Sequence, residues 1–177
     1  AGLGIIAFPF IGNYLNQKNS TQVIENYQRK KAELSPEQME ELFQQAQIYN
    51  ETLLGQPAHD PFIPGSGIVM PENYYQVLNI GGIMGQLEIP SIDVKLPIYH
   101  GTKDNILRKA VGHLEGSALP IGGEGTHTVL TSHTGLTHAK LFTDLTELSK
   151  GDPFYIRVLD RTLAYEVDKI SVIEPDH

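Results

Sequence analysis

The second half of the chain consists of short segments in which apolar and polar residues alternate, and this pattern limits the folds open to it. Alternation with a period of two is typical of β-strands that bury one face. From Gly82 onward the apolar positions are Leu87 and Ile89 in one segment and Ile92, Val94, Leu96 and Ile98 in the next. The pattern predicts a mainly β fold, either a barrel or a sandwich.

The remaining segments of this half fit the same architecture. Residues Thr126–Ser132 predict another strand, while 153–159 and 162–173 predict a hairpin with its turn at Asp160-Arg161. Apolar residues at helical spacing predict a helix over Thr137–Leu148. A shorter helical turn is expected over Asp104–Lys109.

The first half changes to helical periodicity. Thr21–Leu34 predicts one helix, and a second begins at Ser35-Pro36, where Ser35 and Gln38 have the spacing of a capping box. Together they predict a helical hairpin over 20–55. We expect a membrane-proximal segment over 1–19, a lid loop or linker with a connector over 56–81, and a β-barrel or sandwich over 82–177.

Two stretches outside these elements have alternative interpretations. Residues Ala1–Gln17 are uncharged, and their apolar part, Leu3–Ile11, is followed by the polar run Asn13–Ser20. This favours the outer end of a membrane anchor over a terminal element packed on the domain. Residues Gln56–Tyr75 are rich in Pro and Gly, as in a lid or an ordinary linker. Within that stretch, Asp60-Pro61-Phe62 projects a carboxylate and a ring from a stiffened backbone.

Charge and composition exclude several functions. The 177 residues carry a formal charge of −8 without a basic run, so they lack the clustered Lys and Arg that nucleic-acid binding requires. They contain no Cys, which excludes a disulfide, a thiolate metal site and a Cys nucleophile within them. None of the seven His lies in an HExxH pattern or a similar pair, so a metal site is not expected.

His133 occupies the most suitable position for a working side chain, where a predicted strand gives way to a loop. A Ser–His hydrolase would need Ser132 or Ser117 as nucleophile. Ser132 and His133 are neighbours in a strand, so their side chains point to opposite faces and do not pair. The nucleophile elbow GxSxG is also absent from the sequence.

Four stretches in order carry a family resemblance: GQLEIPSIDVKLPIYHGT, AVGHLEGSALPIGGEGTHTVLTSHTGL, AKLFTDLTELSKGDPFYIRV and LAYEVDKISVIEP. They resemble the sortases, above all class C, the pilus-assembling sortases. The resemblance implies a closed β-barrel on the outer face of a Gram-positive membrane. It also implies a cofactor-free cysteine transpeptidase. Such an enzyme cleaves an LPxTG-type sorting signal and joins the pilin to a lysine of the next pilin through an isopeptide bond.

The resemblance assigns roles to particular residues. His133 matches the family's catalytic His, in a stretch that reads TSHTGL where the family has a TGHRGL-like motif. Ser132 and Thr134 therefore stand where Gly and Arg are usual. Asp60, Pro61 and Phe62 match the class C lid, in which the Asp contacts the catalytic Arg and the aromatic residue covers the Cys.

The family's catalytic Cys and Arg strands have no counterpart in these residues. We therefore expect the chain alone to be inactive and to require a C-terminal part, supplied as a separate chain or segment. Pilin subunits are the expected partners, and nucleic acid is not. The alternative is a non-catalytic, sortase-like surface binding module.

Overall fold

The computed structural model describes residues 2–54 and 72–172, and two long helices begin the chain. Helix α1 spans Gly2–Ala32 and helix α2 spans Pro36–Leu53. Helix α1 thus begins well before the predicted Thr21, since extending a helix costs less than starting one and the polar residues 13–20 do not interrupt it. Within the described residues no helix is both long and apolar enough to cross a membrane.

The start of α2 follows the sequence prediction. The Gln38 backbone N–H donates to Ser35 Oγ over 3.2 Å, and the Ser35 N–H donates to Gln38 Oε1 over 2.8 Å. This reciprocal pair satisfies two N–H groups that the first turn of a helix leaves without partners. Helix α2 then buries Phe43, Ala46 and Tyr49 at spacings of three, so its apolar face packs on the domain.

The domain itself is mainly β and contains a six-stranded sheet in the order β4-β3-β2-β1-β5-β6. The strands are β1 Gly85–Ile89, β2 Val94–His100, β3 Val111–His113, β4 Leu130–Thr131, β5 Pro153–Val158 and β6 Arg161–Glu166. Neighbouring strands are antiparallel except β2 and β3, which are parallel. Their connection contains the short helix α3, Asp104–Leu107, at the predicted helical turn.

The outer strands of the sheet are β4 and β6, and they do not pair with each other in the part of the chain that the structure describes. A cavity of about 510 Å³ opens on one side of the sheet. Its apolar lining includes Leu87, Ile89, Leu130, Phe142, Phe154 and Ile156. The predicted barrel is therefore seen as an open sheet with an apolar inner face.

Polar side chains of both helices anchor them to this sheet domain. The Leu159 N–H donates to the buried hydroxyl of Tyr27 on α1 over 2.8 Å. Asn50 on α2 accepts from the Leu119 N–H over 2.7 Å and donates to the Leu119 carbonyl over 3.2 Å. Each helix thus supplies a partner for a backbone N–H of the sheet domain, that of Leu159 or that of Leu119.

The predicted helix over Thr137–Leu148 was wrong: that stretch contains only a 3₁₀ helix, Thr143–Glu147. Leu141 has a φ of 43°, a left-handed conformation that interrupts an α-helix. Leu136 and Ala139 form an isolated β-bridge just before it. The apolar residues of this stretch nevertheless face the core, since Leu141 is buried and Leu148 packs against the core cluster.

The predicted strand over Thr126–Ser132 is shorter than expected and spans only Leu130–Thr131. Its partner β3 is three residues long, and the chain turns immediately afterwards. The backbone N–H of Val129 therefore donates to the Ser117 hydroxyl, over 3.1 Å, rather than to a strand. The predicted hairpin is present, with its turn at Leu159-Asp160, one residue earlier than expected, but its second strand ends at Glu166 rather than extending toward residue 173.

Candidate active site at the end of strand β4

His133 lies two residues beyond β4, and its backbone is held on both sides. Its N–H donates to the Leu107 carbonyl at the end of α3 over 3.2 Å. Its carbonyl accepts from the Phe142 N–H, also over 3.2 Å. The side chain is 37% exposed, so the structure holds the ring in place while leaving it accessible to a substrate.

The His133 ring contacts a carboxylate that the sequence reading did not assign to the site. Nε2 of His133 lies 2.8 Å from Oδ1 of Asp104, at the start of α3. The other oxygen of Asp104, Oδ2, accepts from Nε of Arg108 over 2.6 Å. The parallel β2-α3-β3 connection brings these groups to the end of β4. The result is a hydrogen-bonded group of three surface side chains, Arg108, Asp104 and His133.

The hydrogen bonds among these three side chains favour the ionised form of Asp104. The hydrogen bond from Arg108 lowers the pKa of the Asp104 carboxyl, and the hydrogen bond from His133 lowers it further. Both bonds favour the ionised carboxylate, which can only accept hydrogen bonds. Asp104 is therefore an acceptor for the His133 ring throughout the neutral pH range.

The arrangement of the serines excludes the Ser–His hydrolase that was considered as an alternative. Ser132 Oγ donates to the Ala110 carbonyl over 2.7 Å and makes no contact with the neighbouring His133 ring. Ser117 Oγ does lie 3.1 Å from Nε2 of His113, but it already donates to the Leu114 carbonyl over 2.8 Å. Among the residues that the structure describes, neither hydroxyl has a histidine placed to take its proton.

His113 is fully buried, and both of its ring nitrogens have hydrogen-bond partners within the protein. Its Nε2 lies 2.8 Å from the Ala118 carbonyl, which can only accept, so this nitrogen carries the hydrogen. Its Nδ1 is then the acceptor for the Tyr74 hydroxyl, 2.9 Å away. Burial lowers the pKa of His113 to about 4. Burial also lowers the pKa of His100, which pairs with His113 across strands β2 and β3.

The other predicted site features have different outcomes. Asp60, Pro61 and Phe62 lie outside the described residues, so the lid stays a prediction. The described ranges, 2–54 and 72–172, contain no group of three or more His, Cys, Asp or Glu side chains that could hold a metal ion. Asp104 and Arg108 have the i, i+4 spacing of a helical ion pair, a signal that was present in the sequence. The sequence did not show that these two residues lie next to His133.

Comparison with known proteins places this site in a family. Residues 87–177, more than half of the chain, match the model of the sortase domain. The chain belongs to the sortase family. It is 34% identical over 96 residues to sortase D of Bacillus subtilis strain 168, covering 54% of the chain and 46% of that protein. It is 30% identical over 95 residues to sortase A of Bacillus anthracis, covering 53% and 43%. The chain thus spans less than half the length of these curated relatives.

Solved structures of class C sortases resemble a larger part of the chain. Sortase C-1 from Streptococcus pneumoniae is 44% identical, with a TM-score of 0.75 over 87% of this chain and 79% of that one. Sortase C1 from Streptococcus agalactiae is 35% identical, with a TM-score of 0.78 over 88% and 80%. The resemblance to class C sortases inferred from the sequence is therefore confirmed, and it extends to the N-terminal helices.

Proposed function

We propose that this chain forms the histidine-bearing part of a class C cysteine transpeptidase that joins pilin subunits. The observation that carries the proposal is the similarity to sortase C structures over most of the chain. His133 is the catalytic histidine of the proposal, held by its backbone and exposed by its side chain. The cysteine and the arginine come from a part of the enzyme outside these 177 residues.

The reaction follows the chemistry of an activated thiol. The cysteine thiolate attacks the threonine carbonyl of an LPxTG-type sorting signal, and the Thr–Gly bond breaks as the glycine amine accepts a proton from His133. A lysine amine of the next pilin then attacks the thioester and gives a proton back to His133. The thiolate leaves and an isopeptide bond remains, so His133 ends in the protonation state in which it began.

The open sheet and the Asp60-Pro61-Phe62 segment take defined roles in this proposal. Further strands pair with β4 and β6, close the barrel and cover its apolar inner face, since unpaired edges otherwise invite association with other chains. The segment acts as a lid whose Asp60 contacts the arginine. Such a partly exposed pair contributes on the order of 1 kcal/mol, so the lid opens readily. The enzyme works on the outer face of a Gram-positive membrane.

The test is transpeptidation by the protein as its source organism makes it. The substrates are a fluorogenic LPxTG peptide and a lysine-containing acceptor peptide, with mass spectrometry of the joined product. We expect His133→Ala to lower the rate by roughly 10²–10⁴-fold, the usual contribution of a general acid–base group. The matched control is His127→Ala, which removes an exposed histidine six positions earlier and should leave the rate unchanged.

Two outcomes would contradict the proposal. Full activity in the His133→Ala protein would mean that another group transfers the proton. Binding of the sorting peptide by the unmodified protein without cleavage would instead indicate the non-catalytic surface module.

A further inference from the structure

The contact between Asp104 and His133 joins parts of the chain that lie far apart in sequence. Twenty-nine positions separate the two residues, and their side chains meet with 2.8 Å between Oδ1 and Nε2. Asp104 is the carboxylate that pairs with the His133 ring among the described residues. Asp104 contacts Nε2 of the His133 ring and leaves the other ring nitrogen, Nδ1, outside this contact.

Backbone contacts hold both partners, which distinguishes this pair from a chance encounter between flexible surface side chains. The Leu107 carbonyl of α3 accepts the His133 N–H, so the helix that carries Asp104 also fixes the backbone of His133. The Ser132 hydroxyl adds a bond to the Ala110 carbonyl just beyond the same helix. Because the chain is attached to the Ser132–His133 loop at Leu107 and again at Ala110, the backbones that carry Asp104 and His133 are held next to each other.

A second side chain fixes the orientation of the carboxylate. Arg108 Nε donates to Oδ2 of Asp104 over 2.6 Å, one helical turn along α3. The guanidinium thereby occupies one carboxylate oxygen and leaves Oδ1 directed at the imidazole. Arg108, Asp104 and His133 thus form a relay in which each group orients the next.

We infer that Asp104 is a positioning residue that holds the Nε2–H of His133, so that Nδ1 is the nitrogen that exchanges protons during the reaction. This inference rests on the proposed transpeptidase function. A carboxylate only accepts hydrogen bonds, so the nitrogen facing Asp104 carries a hydrogen in both the neutral and the cationic ring. The opposite nitrogen gains and loses its hydrogen as the ring charges and discharges.

The proton balance of the reaction follows from this assignment. When the Thr–Gly bond breaks, Nδ1–H transfers its proton to the glycine amine, and the ring becomes neutral with Nε2–H still bonded to Asp104. When the lysine amine attacks the thioester, its proton returns to Nδ1 and the ring is again cationic. Asp104 stays ionised at both steps and neither gains nor loses a proton.

The experiment measures the tautomer of His133 directly, in the protein as its source organism makes it, labelled with ¹⁵N-histidine. Nuclear magnetic resonance correlations distinguish Nδ1 from Nε2 and show which of them carries a hydrogen. In the unmodified chain at alkaline pH we expect the Nε2–H form with a visible hydrogen-bonded proton. Asp104→Asn keeps the shape of the side chain. Arg108 can only donate, so it holds the amide oxygen and the amide NH2 faces Nε2, and the ring should convert to the Nδ1–H form.

Control variants show whether the tautomer depends on Asp104 itself, or whether losing any surface charge or the fold has the same effect. Asp144→Asn removes another carboxylate with a basic partner at i, i+4 spacing, Lys140 at 2.7 Å, and should leave the His133 tautomer unchanged. Arg108→Gln should leave the Nε2–H form in place but weaken its hydrogen bond, so that the proton exchanges faster with water. Far-ultraviolet circular dichroism verifies that each variant keeps its secondary structure.

An unchanged tautomer in the Asp104→Asn chain would overturn the inference. In the complete transpeptidase the same substitution should lower kcat roughly 10²-fold with little effect on KM, since the wrong tautomer binds substrate but cannot transfer the proton. The tautomer is read without any substrate. It therefore tests the role of Asp104 even if the transpeptidase proposal fails, and the kinetics test the proposal even if the tautomer does not change.

Discussion

Acidification from pH 7.5 to 4.5 should destabilise the chain, chiefly through the buried ring of His113. In the folded protein this ring is neutral and enclosed, with Nε2–H directed to the Ala118 carbonyl and Nδ1 accepting from Tyr74. A second proton on Nδ1 would place a charge in a fully buried position. Protonation of His113 is therefore strongly coupled to unfolding.

The magnitude follows from the difference between the two pKa values. Burial lowers the pKa of His113 from 6.5 to about 4 in the folded state, so the unfolded chain binds the proton more tightly between these values. Stability is thus complete above pH 6.5 and is lost as the pH falls toward 4. The loss approaches about 3 kcal/mol below both values, and about 2.5 kcal/mol is already lost at pH 4.5.

The assay is urea unfolding followed by circular dichroism at pH 7.5, 6.5, 5.5 and 4.5. The variant His113→Gln should have a lower free energy of unfolding at neutral pH, but a much flatter dependence on pH. Replacing the exposed His127 by Gln should leave the pH dependence unchanged. His100, whose pKa is also lowered by burial, supplies a residual slope of the same sign.

An identical pH dependence in the unmodified and His113→Gln chains would refute this reasoning. If the variant does not fold, the ring resonances of His113 in the unmodified chain provide the test. They should titrate with a midpoint near 4. A midpoint near the ordinary value of 6.5 would show that the ring is not enclosed as described.

Two further predictions concern helix α2. Asn50→Leu should lower the free energy of unfolding by about 1–3 kcal/mol in urea denaturation, because it leaves the buried N–H of Leu119 without its partner. The exposed Gln47→Ala on the same helix should cost less than about 0.5 kcal/mol, and an equal effect of both would contradict the argument. Ser35→Ala should cost about 1 kcal/mol by removing the capping box, measured in the same way, while an unchanged midpoint would show that the cap contributes nothing.

Features that depend on neighbouring residues were predictable from the sequence. The capping box at Ser35 joins residues three positions apart. The alternation of Leu87 and Ile89 places both residues on one face of a single strand. The hairpin of β5 and β6 was likewise predicted, because its two strands adjoin a tight turn. The class of fold follows from these local patterns together with the resemblance to sortases.

Local patterns failed where a distant part of the chain determined the outcome. Apolar spacing predicted a helix through Leu141, but packing against the sheet holds that residue in a left-handed conformation. The strand before His133 is short because its partner β3 ends and turns at residue 113. In both cases tertiary contacts outweighed the propensity of the segment, which is worth only tenths of a kcal/mol per residue.

The sequence by itself made His133 the candidate, because its place after a strand and within TSHTGL is a local feature. Only the tertiary structure revealed Asp104 and Arg108 beside it. Their ion pair could be read from their spacing, but the parallel crossover from β2 to β3 brings that pair to the end of β4. A candidate histidine can be recognised from its neighbours in the sequence, whereas the group that orients its ring depends on how the strands pair.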